Sequence, residues 1–119
     1  MIRKLLITTL SLALAVPLQA PVHAQGPIGT VERGHYVCEL PSTVPGVVAL
    51  AQPDESFEIA GASRYRSPQG NGTYLRRGDR MMMTSGPRNG MEYVVLSNSM
   101  LRKIQSGEPG RLRCFWRGR

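Results

Sequence analysis

The sequence has few of the residues that build metal sites and disulfide frameworks. Among its 119 residues there are two cysteines and two histidines. Zinc fingers need closely spaced Cys or His pairs, and a covalently attached haem needs a Cys-x-x-Cys-His motif, so both are excluded. A multi-disulfide knot is excluded because two cysteines form at most one bond. We therefore expect no metal and no cofactor.

Long hydrophobic runs are also scarce. The run Leu5–Val16 is twelve residues long, shorter than the roughly 20 residues that a membrane span requires. Arg3 and Lys4 precede it and supply the positive start of an export signal. The pattern predicts a signal peptide over residues 1–24, and an uncleaved N-terminal anchor is the alternative.

The predicted cleavage site is marked by small residues. Val22 and Ala24 occupy its −3 and −1 positions, so the mature chain is expected to begin at Gln25. Cleavage after Ala20 would place Pro21 next to the cut, which is unfavourable. A periplasmic or secreted location in a bacterium follows from this interpretation.

The cysteine pair predicts one disulfide. Cys38 lies near the start of the expected mature chain and Cys114 near its end, and an isolated pair in an oxidising compartment is usually bonded. A bond between them would close a loop of 77 residues. By reducing the entropy of the unfolded chain, a loop of this length stabilises the fold by about 4 to 5 kcal/mol. We expect this disulfide to join the first and last strands.

Negative charge is sparse. The 8 acidic residues stand against 15 basic ones, and without Arg3 and Lys4 the net charge falls from +7 to +5. Apart from Lys103, every cation that remains is an arginine. Arginine binds phosphate and carboxylate through two parallel hydrogen bonds, whereas lysine acts as a point charge.

Glycine and proline are plentiful and punctuate the chain about every ten residues, which is typical of an all-β sandwich or barrel. We predict a single antiparallel domain of seven or eight short strands over residues 34–119, preceded by a flexible lead-in over 25–33. The turns are expected at Pro41–Gly46, Gln52–Ser56, Ser67–Gly72, Arg77–Asp79, Ser85–Gly90 and Gly107–Gly110.

Alternation between the turns assigns the core. Successive strand residues point to opposite faces, so the expected inward residues are Tyr36, Cys38, Leu40, Phe57, Ile59, Met81, Met83, Met91, Tyr93, Val95, Leu112, Cys114 and Trp116. Residues 98–106 could form a strand or a short helix capped by Asn98 or Ser99. We favour the strand because seven residues make a marginal helix.

The ordered motifs Gly34-His35-Tyr36-Val37-Cys38, Gly70-Asn71-Gly72-Thr73-Tyr74 and Ser85-Gly86-Pro87-Arg88-Asn89-Gly90, followed by Cys114, resemble a family of small secreted bacterial proteins of unknown function. That resemblance covers nearly the whole mature chain and implies the fold and export. The Tyr36-Val37-Cys38 triplet is also similar to one in bacterial inhibitors of C-type lysozyme, which implies inhibition as an alternative function.

A basic stripe is the strongest candidate for a binding site. Arg111, Arg113 and Arg117 alternate with the inward residues of the last strand, and Phe115 lies among them. Arg64 and Arg66 share a face of another strand. If the two strands are neighbours, five guanidinium groups surround one aromatic ring, which suits a phosphorylated glycolipid, an acidic glycan or nucleic acid.

These features favour a non-enzymatic, monomeric binding domain whose partner is an anionic envelope component or an exported protein. The alternatives are a protein inhibitor of an exported or host enzyme and a purely structural envelope module. A hydrolase is a further alternative, and its acid and base would come from Glu39, Glu58 or Glu92. His35, the one histidine of the mature chain, is expected on the outward face of its strand.

Overall fold

A computed structural model describes residues 11–17 and 26–119. Residues 11–17 are exposed and form neither helix nor strand. Most of the signal peptide predicted over 1–24, with its cleavage after Ala24, lies outside the described residues. None of the described helices is long and apolar enough to cross a membrane.

Within residues 11–17 and 26–119, ten strands and one short 3-10 helix, Pro53–Glu55, follow one another. The strands are β1 (Ile28–Gly29), β2 (Gly34–Pro41), β3 (Ala49–Ala51), β4 (Phe57–Ile59), β5 (Arg64–Ser67), β6 (Gly70–Arg77), β7 (Arg80–Met83), β8 (Glu92–Ser97), β9 (Met100–Gln105) and β10 (Glu108–Trp116).

Eight of these strands close into an antiparallel barrel. The order round the barrel is β6, β5, β4, β2, β10, β9, β8 and β7, and β7 pairs with β6 to complete it. The other two strands are short extensions, since β1 pairs with the end of β6 and β3 with the end of β2. The predicted all-β antiparallel fold is confirmed, and of the two architectures considered the chain adopts the barrel.

The disulfide lies across the pair β2–β10. Cys38 and Cys114 are directly opposite each other, with their Cα atoms 3.9 Å apart, and both are fully buried. The predicted bond is confirmed, but its place in the strand order needs one correction. Cys38 belongs to the second strand of the chain, because β1 precedes it. Closure of the barrel makes β2 and β10 neighbours and so brings the two cysteines together.

The segment expected as a flexible lead-in packs on the barrel over part of its length. Ile28 and Gly29 pair with the end of β6, and Val31 is buried with its backbone N–H donating to the Tyr74 hydroxyl at 3.1 Å. The physical reason is the hydrophobic effect: when Val31 packs on the core of the barrel, apolar surface of both is removed from water.

The alternation that assigns the core is correct along most strands. The buried residues of the barrel include Tyr36, Phe57, Ile59, Met81, Met83, Tyr93, Val95, Leu101 and Leu112. Residues 98–106 contain a turn at Asn98 and Ser99 followed by β9, so the strand is confirmed and the helix is wrong. Burial raises the pKa of the Tyr36, Tyr74 and Tyr93 phenols, which keeps them neutral in the core.

One end of the barrel is closed by the loop that contains the 3-10 helix. Arg88, only 2% exposed, reaches into this loop from the turn between β7 and β8. Its guanidinium donates to the backbone carbonyls of Asp54, Glu55 and Ser56 at 2.8 to 2.9 Å, and to the Gln69 Oε1 at 3.1 and 3.2 Å. The carbonyls at the end of a helical turn carry partial negative charge, so a cation there is well placed.

Two further contacts hold Arg88 in this position. Its guanidinium carbon lies 5.5 Å from the centroid of the Phe57 ring, and its backbone N–H donates to the Tyr65 hydroxyl at 3.1 Å. Lys103 bonds both carboxylate oxygens of Glu55 at 3.1 Å and ties the same loop to β9. Among the described residues every buried side-chain nitrogen and oxygen has a hydrogen-bond partner. The buried polar side chains at the closed end of the barrel are therefore all hydrogen-bonded.

Candidate anion-binding surface

The outward face of β10 carries the predicted basic stripe. Leu112 and Cys114 are buried. Arg113 and Phe115, which alternate with them, are half-buried, and Arg117 is exposed. This alternation follows from the strand pleat, because the apolar residues of β10 must face the barrel interior. Sequence analysis therefore places these three side chains on the correct face.

Two guanidinium groups lie against one aromatic ring. The Cζ atoms of Arg113 and Arg117 are each 5.6 Å from the centroid of the Phe115 ring. At this distance a guanidinium is attracted by the negative face of the ring. We call Arg113, Phe115 and Arg117 the β10 cluster. The ring holds both cations in place, so less side-chain freedom is lost when an anion binds.

The two arginines of the β10 cluster differ in their partners. Arg113 lies opposite Glu39 on β2, and its Nε donates to the Glu39 Oε1 at 3.0 Å. Arg117 forms no ion pair with any residue in the described ranges 11–17 and 26–119. Arg117 is therefore the cation of the cluster that is most available to an outside anion.

The strands beside β10 extend the cluster. Val37 on β2 lies opposite Phe115 and is 42% exposed, and Met100 lies opposite Phe115 on the other side, in β9. Arg102 on β9 lies opposite Arg113. Sequence analysis missed Arg102 because the β9–β10 register is needed to place it. Arg102 and the β10 cluster thus form a surface with three arginines, whose apolar centre is Phe115 with Val37 and Met100 on either side.

Arg111 and the pair on β5 lie apart from this cluster. Arg111 is exposed, and its Nη2 donates to the Pro41 carbonyl at 3.1 Å, beyond a register shift between Pro109 and Arg113. Arg64 and Arg66 are both exposed on β5, which β4 and β2 separate from β10. The two strands are therefore not neighbours, so the condition for a single face of five guanidinium groups is not met.

The carboxylates named for the hydrolase alternative lie on three different strands. Glu39 pairs with Arg113 as described, and Glu58 on β4 lies 3.6 Å from Arg66. Glu92 begins β8, opposite Met82. In the part of the chain that the structure describes, no three His, Cys, Asp or Glu side chains lie close enough together to hold a metal ion.

Two concave regions border the β5 strand. A groove of about 300 Å³ is lined by His35, Val37, Ser56, Glu58, Arg66 and Pro68, among others. A smaller cleft of about 230 Å³ lies on the other side of Arg66, between β5 and β6. His35 is exposed on the outward face, as the alternation predicts.

The chain was compared with protein-family models, curated proteins and solved structures, and none of the three comparisons gives a match. The resemblances drawn from its motifs therefore stay expectations.

Proposed function

We propose that this protein is an exported, non-enzymatic domain that binds an anionic partner through the β10 cluster. The observation that carries the proposal is the contact of both Arg113 and Arg117 with the Phe115 ring. Two preorganised guanidinium groups beside an exposed apolar residue, Val37, suit a ligand that combines phosphate, sulfate or carboxylate groups with an apolar portion. A phosphorylated glycolipid, an acidic glycan and nucleic acid are the candidate partners.

The charge of the whole chain supports the same proposal. A net charge of +5 after the predicted processing attracts anionic partners over a distance of about 10 Å at moderate ionic strength. Long-range attraction of this kind raises the rate of encounter, while the β10 cluster supplies the specific contacts.

Replacement of both arginines of the cluster tests the proposal. We expect Arg113→Ala/Arg117→Ala to weaken binding to immobilised heparin about tenfold or more, because two charge-assisted contacts are lost. The slope of log affinity against log salt concentration is expected to fall by about 2 in magnitude. Elution from heparin in a salt gradient, together with titration at several salt concentrations, measures both quantities.

A charge-matched variant serves as the control. Arg77 and Arg80 are exposed, lie opposite each other on β6 and β7, and have at least two strands between them and β10. Arg77→Ala/Arg80→Ala removes the same charge and is expected to shift elution only slightly. Equal shifts for the two variants would mean that net charge alone drives retention, and wild-type elution of the β10 variant would contradict the proposal outright.

Binding to an exported protein is a second candidate function, favoured by an apolar arm. The hairpin from Pro41 to Ala51 carries no charged residue and exposes Val44, Val47, Val48 and Leu50. Exposed apolar patches of this kind are typical of protein interaction sites. If the resemblance to C-type lysozyme inhibitors holds, the protein should inhibit such a lysozyme at one-to-one stoichiometry.

The arm gives that candidate a specific test. We expect Val44→Ser/Val48→Ser to abolish inhibition of a C-type lysozyme while leaving thermal stability unchanged, since both side chains are exposed. Full lysozyme activity in a large excess of the wild-type protein would exclude this partner.

A further inference from the structure

The two arginines of β5 stand on the outer surface of the barrel without the ring that supports the β10 cluster. Tyr65 between them is fully buried, so Arg64 and Arg66 point outward on the same face. Residues two apart in a strand are separated by about 6.5 to 7 Å along it. Two guanidinium groups at this spacing can reach the same small anion.

A cleft lies directly at these two side chains. It has a volume of about 230 Å³ and is lined by Ala60, Arg64, Tyr65, Arg66, Asn71 and Gly72. Asn71 on β6 lies opposite Arg66, and Gly72 lies opposite Tyr65. The Ala60 N–H donates to the Arg64 carbonyl at 2.9 Å, which places this small residue beside Arg64. The cleft therefore has small residues and backbone at its base and arginine and asparagine side chains round it.

The charges of the cleft are only partly neutralised. Arg64 forms no ion pair with any residue of the described ranges 11–17 and 26–119. Arg66 lies 3.6 Å from the Glu58 carboxylate, and its side chain is 61% exposed. Exposed ion pairs of this kind are weak and exchange readily with other anions. Both guanidinium groups are thus available to a ligand.

We propose that this cleft is a second anion site and that it binds the terminal phosphate or sulfate group of a monoester. A carboxylate has two oxygens, which a single guanidinium already satisfies. A phosphate or sulfate monoester presents three terminal oxygens and can accept hydrogen bonds from Arg64, Arg66 and the Asn71 amide together. These three hydrogen-bond donors therefore favour a tetrahedral phosphate or sulfate group over a planar carboxylate.

This site is distinct from the β10 cluster. Two strands, β4 and β2, lie between β5 and β10, and the two surfaces share no residue. The inference goes beyond the proposed function and stands even if the β10 cluster binds nothing. A partner that carries several monoester groups could occupy both surfaces, whereas inorganic phosphate would report on each one separately.

Titration with inorganic phosphate, sulfate and acetate tests the site, with the side-chain Nε–H resonances of ¹⁵N-labelled protein as the readout. We expect the Arg64 and Arg66 resonances to shift and saturate with phosphate or sulfate, and to respond at least fivefold more weakly to acetate. Tighter binding of phosphate than of sulfate at pH 8 would point to a phosphate monoester, and the reverse to a sulfate ester. Equal and unsaturated shifts of all arginine resonances would overturn the proposal.

Three variants complete the experiment. The backbone amides of Asn71 and Gly72, which line the cleft, report on all variants. Arg64→Gln/Arg66→Gln should remove the saturable response of these amides, while the charge-matched Arg77→Gln/Arg80→Gln should retain it. Glu58→Gln should strengthen phosphate binding about two- to fivefold, because it frees Arg66 from an exposed ion pair. This gain cannot result from a folding defect. Unchanged or weaker binding in Glu58→Gln, or a saturable response in the β5 variant, would overturn the assignment of the site.

Discussion

Replacing Arg88 by methionine is expected to lower the free energy of unfolding by about 3 to 5 kcal/mol. Methionine fills much of the same space, but it cannot donate to the three carbonyls of the 52–56 loop that the guanidinium binds. These carbonyls would be left buried without a partner or would be opened to water. A loss of this size is comparable with much of the total stability of a small domain.

Equilibrium unfolding in urea, followed through the fluorescence of the single tryptophan, Trp116, measures the effect. Arg88→Lys keeps the charge but replaces the planar fork by a point charge, so we expect a loss of about half that of Arg88→Met. Arg77→Ala serves as the control, because its side chain is exposed, and should stay within about 0.5 kcal/mol of the wild type. A loss below about 1 kcal/mol for Arg88→Met would show that the loop does not depend on the guanidinium.

Removal of the disulfide is expected to have an effect of similar size. The variant Cys38→Ala/Cys114→Ala should lose about 4 kcal/mol of unfolding free energy, because the bond closes a loop with a sequence separation of 76 residues. The hydrogen bonds between β2 and β10 remain, so the folded barrel is expected to persist at low temperature. The loss then arises mainly from the greater freedom of the unfolded chain.

Reduction of the wild-type protein provides an independent check. Both cysteines are fully buried, so a thiol reductant reaches the bond only when the barrel opens. We expect slow reduction in buffer and rapid reduction near the urea midpoint. The double-alanine variant should have the same stability as the reduced wild type. Equal stabilities of the variant and the oxidised protein would show that the bond contributes nothing to the fold.

These two predictions concern two different parts of the barrel. The disulfide joins the neighbouring strands β2 and β10, whose outward faces carry Glu39, Arg113 and Phe115, and Arg117 follows directly after β10. Arg88 closes the barrel end from within. Loss of either is therefore expected to weaken anion binding indirectly, through partial unfolding, and binding assays on these variants should be made well below their melting temperatures.

The local pattern of the chain predicted a large part of this molecule. Successive side chains of a strand point to opposite faces, and this places Met81 and Met83 in the core and leaves Met82 exposed although all three residues are methionine. The turn signals predicted the hairpin between β6 and β7. The cysteine count allowed only one bond. Each of these inferences depends on residues that are close in sequence or on simple exclusion.

The functional surfaces depend on strand order and register, which a local pattern does not contain. Alternation shows that Arg66 and Arg113 face outward, but only the closed barrel shows that β4 and β2 lie between them. The β9–β10 register places Arg102 beside Arg113. Arg88 sits in a turn that predicts exposure, and it is buried because a loop more than thirty residues earlier offers its carbonyls.

Local patterns along the chain are thus sufficient for the fold class, for the inward and outward faces of the strands and for the identity of the disulfide. Which outward faces meet depends on the closed barrel, in which the arginines of β10 and of β5 belong to two separate surfaces, the β10 cluster and the β5 cleft. The physical reason is that side-chain direction follows from the pleat of each strand, whereas strand order is fixed by long-range pairing when the barrel closes.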